Sequence, residues 1–496
     1  MSQKLQDARR YEEENEKLIH KEDRPAFHLS PRVGWMNDPN GFSYYNGCYH
    51  LFYQYNPYDT HWGPMHWGHA VSGDLIHWKY LPAVMAPDRS YDSDGCYSGS
   101  TLELADGRQM IMYTGRHLII DENGIEQEVQ TQNLAFGDGV NYEKYDRNPV
   151  ITGKDLPENG NPYAFRDPKI WKEQDGTYWV VIANEDLRDS GQVLLYKSDD
   201  CIHWTFVKTL MKNCGKLGLM WECPDFFPLD GKQVLISSAQ GMLASGLEYH
   251  SGFGTFYFIG DYDAESYDFK PECNYAVDYG IDFYAPQTLF TPDGRCVMIG
   301  WMQNWETSSS KNEDLQFCGM MTLPRELSIR DGRLCQNPVR EIEEYRGLKI
   351  DYYNVHISNE TSLYGINGNC IDMTVTIKPG NEDHMYKWFR IYLGKDGEHY
   401  TFVRYRPDIS TIKVDRTRCG FPHDIVNIRE FPVRLIDGNL KIRFIIDRYS
   451  MEMFVNDGEQ AASFVLYAPE NAESISFYCE GSSVIDIEKY DLLKEE

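Results

Sequence analysis

The chain has 496 residues, long enough for two or more domains, and 42% of its residues are hydrophobic, enough for a large core. Its formal net charge of −28 would repel polyanions, so we expect neither nucleic acid nor an anionic membrane as a partner. It contains no apolar run of about 18 residues, so the sequence predicts no transmembrane helix.

Residues 1–26 form a charged N-terminal extension. Apolar side chains spaced along residues 1 to about 22 predict a short helix on the surface of the body. The extension lacks the apolar core of a secretory signal, so we expect a cytoplasmic protein whose twelve cysteines are reduced thiols. The cysteines show no Cys/His ligand spacing, and we therefore predict no structural metal.

Short strand-like runs separated by Gly, Asp and Pro fill residues 27–345 and indicate an all-β fold. A turn followed by an aromatic residue recurs among them, at intervals of 64, 62 and 65 residues: Trp78, Tyr142, Trp204 and Phe269. A fifth unit would end near Leu334, where the match is weak. Five units of about 63 residues, each with room for four short strands, predict a five-bladed β-propeller. The alternative is chance recurrence in a β-rich chain.

The period is lost after about residue 346. Residues 350–496 carry further alternating strands, and Asn456-Asp457-Gly458 is a hairpin-turn signal. A segment of this length with many short strands predicts a C-terminal β-sandwich domain. No cluster of acid, proline and aromatic residue recurs there, so we interpret this domain as structural.

Three acidic residues of the propeller region stand beside prolines and aromatic residues. They are Asp38 in Trp35–Gly41, Asp167 in Phe165–Pro168 and Glu222 in Trp221–Asp225. The proline and glycine of the first segment predict a bend, with Asp38 at its start. Any one of the three could be an ordinary turn. Together they are typical of enzymes that cleave glycosidic bonds, which need a pair of carboxylates.

The repeat predicts where these acids lie. Asp38 precedes the aromatic residue of its unit by 40 residues, Asp167 by 37 and Glu222 by 47, and Ser98 precedes that of the second unit by 44. All four therefore occupy the same early strand of successive units. If that strand lines the central channel of the propeller, the four side chains meet at one end of it.

The chain resembles the β-fructofuranosidases of glycoside hydrolase family 32, the group of invertases, inulinases and levanases, over nearly its whole length. The three acidic segments match the family's W-M-N-D-P-N-G, R-D-P and W-E-C-P motifs. Further matches lie at residues 54–57, 67–69, 98–100, 282–287 and 321–327. The resemblance implies a five-bladed propeller followed by a β-sandwich, and a retaining double displacement that needs no metal or organic cofactor.

By this resemblance Asp38 is the nucleophile, and Glu222 is the general acid that then becomes the base that activates water. Asp167 would hold fructose hydroxyls and stabilise the oxocarbenium-like transition state. We expect Asn37 to help keep Asp38 ionised. We also expect the adjacent Trp221 and Cys223 to desolvate Glu222 and raise its pKa.

The resemblance also implies a set of substrate contacts, for each of which plain packing is the alternative. Direct contacts to fructose are expected from Asn37, Gln54, Trp62, Tyr97, Ser98, Arg166 and Asp167. Tyr284 would orient Glu222 or the leaving oxygen, and Trp301 would stack on the sugar. The family often has a Trp where this chain has Phe317, and the loop of residues 304–311 before it is irregular. The resemblance therefore does not predict which chain length of fructan this protein prefers.

The expected activity is release of terminal β-fructose from fructose-containing sugars, either sucrose or short fructans. Sucrose 6-phosphate is an alternative substrate, although no basic cluster near the motifs indicates a phosphate site. A fructosyltransferase would use the same residues with a sugar as acceptor. A sugar-binding propeller without chemistry is a third reading, which the three intact acids disfavour. The sequence does not predict the oligomeric state.

Overall fold

The computed structural model describes residues 1–120, 123–213, 215, 217–308, 314–379, 386–420, 426–469 and 471–493. Helix α1 spans Gln3–Asn15, and short 3₁₀ turns follow at Glu16–Leu18 and Lys21–Asp23. The helix predicted to continue to about residue 22 thus ends at Asn15. In the described residues, no helix has the length and apolar character that crossing a membrane requires.

The strands between residues 34 and 338 form five sheets, which are the blades of the predicted propeller. The first blade contains β1 (Gly34–Tyr45), β2 (Cys48–Asn56), β3 (His66–Ser72) and β4 (Trp78–Met85), and the second contains β5 (Gly95–Glu103), β6 (Gln109–Ile120), β7 (Glu126–Gly137) and β8 (Tyr142–Lys144). The third contains β9 (Gly160–Lys172), β10 (Tyr178–Asp186), β11 (Ser190–Ser198) and β12 (Thr205–Lys212), and the fourth contains β13 (Trp221–Leu229), β14 (Lys232–Met242), β15 (Gly252–Asp263) and β16 (Asp268–Ala276). The fifth contains β17 (Tyr284–Phe290), β18 (Cys296–Trp301), β20 (Arg325–Arg330) and β21 (Arg333–Pro338), and the short β19 (Phe317–Cys318) lies between β18 and β20 along the chain.

The ring is closed by β19, which pairs in parallel with β1 and so joins the end of the repeat to its beginning. The aromatic residues that revealed the period lie at or next to the start of the outermost strand of each blade. Trp78 begins β4 and Tyr142 begins β8, for example. The weak fifth match, Leu334, lies in β21, which is the outermost strand of the last blade. The repeat therefore corresponds to the blades.

Each innermost strand is interrupted by a β-bulge, at which the innermost strand advances by three residues while its partner strand advances by two. The breaks in register fall at 36–39, 96–99, 166–169, 222–225 and 284–287. A bulge leaves a residue out of the hydrogen-bonded ladder, so a proline fits there without the loss of a ladder bond. The bend predicted for Trp35–Gly41 is therefore a bulge within β1 rather than a turn that ends a strand.

Two further sheets form the C-terminal sandwich. The six-stranded sheet has the order β22 (Arg346–Ile357), β32 (Ser483–Leu492), β23 (Ile371–Pro379), β28 (Leu440–Asp447), β29 (Ser450–Val455) and β30 (Gln460–Val465). The five-stranded sheet has the order β27 (Ile428–Pro432), β26 (Thr411–Arg418), β25 (Tyr400–Arg406), β24 (Trp388–Lys395) and β31 (Ser474–Glu480). Side chains along β25 alternate between buried and half-buried, as expected when one face packs on a core. The division predicted between residues 345 and 350 stays a prediction.

A buried ionic network joins the sandwich to the propeller and to the N-terminal segment. The two ring nitrogens of His28 lie 2.9 Å from carboxylate oxygens of Asp447 and Glu452. Arg325 donates to Glu452 from Nε at 2.9 Å and to Asp278 from Nη1 at 2.9 Å. All five side chains are at most 1% exposed. Each buried carboxylate thus has a charged partner, which the low-dielectric surroundings require.

Candidate active site

A cavity of about 440 Å³ opens at one end of the propeller, where the innermost strands carry their bulges. It brings together nine of the residues singled out from the sequence: Asn37, Asp38, Gln54, Trp62, Tyr97, Ser98, Arg166, Asp167 and Glu222. The remaining wall comes from five residues that the sequence did not indicate and from Trp305 of the irregular loop at 304–311; the five are Glu128, Gln130, Tyr163, Gln240 and Phe253. Residues of all five blades thus meet at one place, and they include the four side chains, Asp38, Ser98, Asp167 and Glu222, whose meeting the phase of the repeat predicted.

Asp38 is held by neutral donors. Ser98 Oγ donates to its Oδ2 at 2.7 Å, and Asn37 Nδ2 donates to its Oδ1 at 3.1 Å. Trp35 Nε1 donates to Asn37 Oδ1 at 2.9 Å and so fixes the direction of that amide. Burial raises the pKa of Asp38, and the hydrogen bonds from Ser98 and Asn37 offset only part of this, while the charge of Glu222 adds to it. The predicted contribution of Asn37 is present, but the pKa of Asp38 shifts upwards.

Asp167 adopts a backbone conformation that is rare for a residue with a side chain, with a φ of 64°. Its backbone N–H donates to Thr114 Oγ1 at 3.0 Å, and its Oδ2 accepts the backbone N–H of Cys223 at 3.0 Å. Burial raises the pKa of Asp167; Arg166 opposes this shift, whereas Glu222 and Asp38 add to it. The bulge stores this strain at the cavity, as strained residues of functional sites commonly do.

Glu222 is oriented by two side chains. Arg166 donates to its Oε1 from Nε at 3.0 Å and from Nη2 at 2.9 Å. The hydroxyl of Tyr284 donates to its Oε2 at 2.7 Å, which is the orienting contact predicted for this tyrosine. The adjacent Trp221 packs instead into the core of its blade, with its ring centroid 4.9 Å from that of Phe256. Neighbouring residues of a strand face opposite sides, so the surroundings of the Glu222 carboxylate are set by Arg166 and Tyr284 rather than by Trp221.

The chain matches known family models over nearly its whole length. The model of the glycosyl hydrolases family 32 N-terminal domain matches residues 28–338, and that of the family 32 C-terminal domain matches residues 341–492. The chain belongs to glycosyl hydrolase family 32. This family thus spans both the propeller and the sandwich, and the chain is a glycoside hydrolase.

Relatives of this family 32 chain are similar over nearly their whole length. It is 37% identical to a sucrose-6-phosphate hydrolase of Escherichia coli over 469 residues, which cover 92% of this chain and 91% of that protein. It is 36% identical to a raffinose invertase of Escherichia coli, with the same coverage of both chains. Among solved structures, a family 32 β-fructofuranosidase of Bombyx mori matches with a TM-score of 0.84 and 34% identity, over 99% of this chain and 98% of that one. A mutant of the Bombyx mori enzyme has been solved in complex with sucrose.

Aromatic rings surround the mouth of the family 32 cavity. Trp62 is 43% exposed, and its ring centroid lies 6.4 Å from that of Tyr97, while Tyr163 is also 43% exposed. Trp301 behaves differently, because it is fully buried and does not line the cavity. Its ring packs against Trp305, 5.2 Å away between centroids. Trp305 lines the cavity in place of Trp301, so the predicted position of Trp301 against a sugar is wrong.

Several wall residues escaped the sequence argument because they do not lie on innermost strands. Glu128 and Gln130 belong to β7, Gln240 to β14 and Phe253 to β15. Each of these strands is a second or third strand of its blade, and the residues lie close to the turn that joins those two strands. That turn opens at the end of the blade where the innermost strand begins, as the pairing of Gly95 with Arg116 shows. Position within the repeat, applied to the turns between second and third strands, could therefore have predicted these wall residues. Of the irregular loop at 304–311, residues 309–311 lie outside the described residues.

Proposed function

We propose that this family 32 hydrolase is a retaining β-fructofuranosidase that releases terminal β-fructose from sucrose or short fructans. The observation that carries the proposal is a pair of carboxylates in one cavity with different partners. Asp38 accepts hydrogen bonds from a hydroxyl and an amide, whereas Glu222 is held by Arg166 and Tyr284. A retaining glycosidase needs one carboxylate as nucleophile and a second as acid and base.

In the first step a carboxylate oxygen of Asp38 forms a bond to the anomeric carbon of the fructosyl unit. The bond from that carbon to the glycosidic oxygen breaks, and the proton of Glu222 passes to this oxygen. In the second step ionised Glu222 takes a proton from water. The water oxygen then attacks the same carbon and displaces Asp38, so the configuration at that carbon is retained.

Asp167 is proposed to bind hydroxyls of the fructosyl ring, since its side chain lines the same cavity as the other two acids. Its Oδ2 and that of Asp38 lie 3.6 and 3.5 Å from Cys223 Sγ. A carboxylate at this place stabilises the positive charge that develops on the ring in the transition state. Cys223 is then part of the surroundings rather than the nucleophile.

The names of the relatives support a fructoside as the substrate. The Escherichia coli relatives are named for sucrose 6-phosphate and raffinose, and the Bombyx mori structure is a complex with sucrose. They favour hydrolysis, and they leave sucrose 6-phosphate as the second candidate substrate. A fructosyltransferase remains the alternative in which a sugar replaces water as the acceptor.

The test is to incubate the purified chain with sucrose, 1-kestose and inulin and to measure released glucose and fructose. Hydrolysis yields glucose and fructose from sucrose in equal amounts, whereas transfer yields an excess of free glucose together with longer fructosides. Proton NMR of the first fructose formed should show the β-anomer. Binding of sucrose without any release of reducing sugar would reject the proposal in favour of a non-catalytic sugar-binding propeller.

A further inference from the structure

The lining of the cavity contains more acidic than basic side chains. In the part of the chain that the structure describes, four carboxylates line the cavity: those of Asp38, Glu128, Asp167 and Glu222. One cation, the guanidinium of Arg166, lines it with them. A cleft whose lining carries mainly one sign of charge concentrates the potential of those charges, and ligands of the same sign are repelled from it.

The guanidinium groups at this site are already engaged. Arg166 gives both Nε and Nη2 to Glu222, at 3.0 and 2.9 Å. Beside the cavity, Arg116 lies over the ring of Tyr97 and pairs through Nε with Glu128 Oε2 at 2.7 Å. Proteins bind phosphate groups with Arg or Lys donors. Each arginine therefore already has a carboxylate partner, with which a phosphate would have to compete.

Glu128 occupies the outer part of this wall. It lies on β7, opposite Leu118 of β6, in the part of that hairpin that extends beyond the pairing of Gly95 with Arg116. Its side chain is 32% exposed, whereas Asp38 is 9% exposed. A fructosyl unit bound at Asp38 therefore directs its leaving group towards the mouth, where the Glu128 carboxylate stands.

We propose that the cavity selects neutral β-fructosides, and that Glu128 is a specificity-determining residue that disfavours a leaving group carrying a phosphate. The proposal rests on the proposed function and names the substrate class of that same site. A phosphate on the glucosyl part of sucrose would bring up to two negative charges to a mouth that already holds one. Juxtaposed like charges at a binding surface are a known means of rejecting a wrong ligand.

The test compares kcat/KM for sucrose and sucrose 6-phosphate at low ionic strength. We expect a preference for sucrose of at least about 50-fold, which narrows when the ionic strength rises from about 0.01 M to about 0.5 M because salt screens the repulsion. In Glu128→Gln the ratio should shift towards the phosphorylated sugar by about 10-fold, both because one charge is lost and because Arg116 is released. Glu128→Asp should keep the wild-type preference.

A matched control is Asp106→Asn. Asp106 also pairs with an arginine, Arg108, at 2.7 Å, but it lies in the turn between β5 and β6, at the opposite end of the same blade. This control should leave the ratio unchanged. Equal or better turnover of sucrose 6-phosphate by the wild-type enzyme would overturn the inference and leave the proposed function intact. An unshifted ratio in Glu128→Gln would overturn the role of Glu128, whereas failure to cleave either sugar would defeat the proposed function itself.

Discussion

The carboxylates of the cavity and those between propeller and sandwich are all buried, yet they are held in different ways. At the domain interface, Asp447 and Glu452 share the imidazole of His28. In the cavity, Asp38 accepts from neutral donors, and Arg166 faces several acids at once. The three acids of the interface network contact two cations, whereas in the described residues four acids line the cavity with a single cation.

The directions of the pKa shifts reflect this difference. Burial alone would raise the pKa of Asp447, but the hydrogen bond and the charge of His28 outweigh burial and lower this pKa to about 2. Burial is likewise outweighed for Glu452, whose pKa is lowered by the charge of Arg325. In the cavity, burial prevails and raises the pKa of Asp38. The interface network stabilises its ionised acids, whereas the cavity holds buried acids whose pKa values are raised, as is common in active sites.

The largest expected effect comes from the cavity. Asp38→Asn or Glu222→Gln should reduce kcat by several orders of magnitude, because each removes a group that forms or breaks a bond. For Asp38→Asn the apparent melting temperature should not fall, since one of several crowded acids becomes neutral. Sucrose turnover measures kcat, and thermal unfolding of the same preparations measures the melting temperature. Near-normal turnover of Asp38→Asn would refute its role as nucleophile.

The interface should show the opposite pattern. Arg325→Met leaves Glu452 and Asp278 without their guanidinium, and loss of one partner from a buried ion pair costs about 3–5 kcal/mol. We expect a lower urea midpoint, with kcat of the remaining folded enzyme within a few-fold of wild type. Arg340→Met is the control, because Arg340 pairs with Glu326 at the surface and is 66% exposed. A large loss of kcat in folded Arg325→Met would erase the contrast between the two regions.

The third test uses pH. Burial lowers the pKa of His28, but its hydrogen bonds to Asp447 and Glu452 outweigh this and raise the pKa to about 9. The stabilisation is therefore complete below the ordinary histidine pKa of about 6.5 and is lost as the pH rises through about 9. The free energy of unfolding of wild type should exceed that of His28→Gln by up to about 3 kcal/mol at pH 6, and less at pH 10. A difference that does not change between these pH values would contradict a charged His28.

The smallest effect concerns Glu12, whose pKa is raised although it lies outside the cavity. It lies outside the cavity, on α1, and accepts the backbone N–H of Ala83 at 3.1 Å. Burial raises its pKa to about 7, and Ala83 and Arg32 offset only part of this. The neutral form is favoured in the folded state, so docking of α1 weakens as the pH rises from about 4.5 to about 7. Proteolysis within α1 should therefore be faster at pH 8 than at pH 5 in wild type, and this difference should shrink in Glu12→Gln.

The phase of the repeat was sufficient to predict the blades and the meeting of Asp38, Ser98, Asp167 and Glu222. Strand periodicity and turn spacing are local properties, and five similar units repeat them, so position within a unit translates directly into position in a blade. The family motifs at these positions were sufficient to predict the class of enzyme.

Only the tertiary structure decided which side chains touch. His28 and Asp447 are 419 residues apart and belong to no repeat, so their contact follows from how the sandwich docks on the propeller. Trp301 ends β18 and Trp305 lies in the loop that follows, and only the packing of that loop puts the first beneath the cavity wall and the second in it. Glu128 reaches the cavity because the hairpin of β6 and β7 extends beyond the start of β5. Side-chain contacts depend on the angles between elements and on the paths of loops, which a pattern along one strand does not encode.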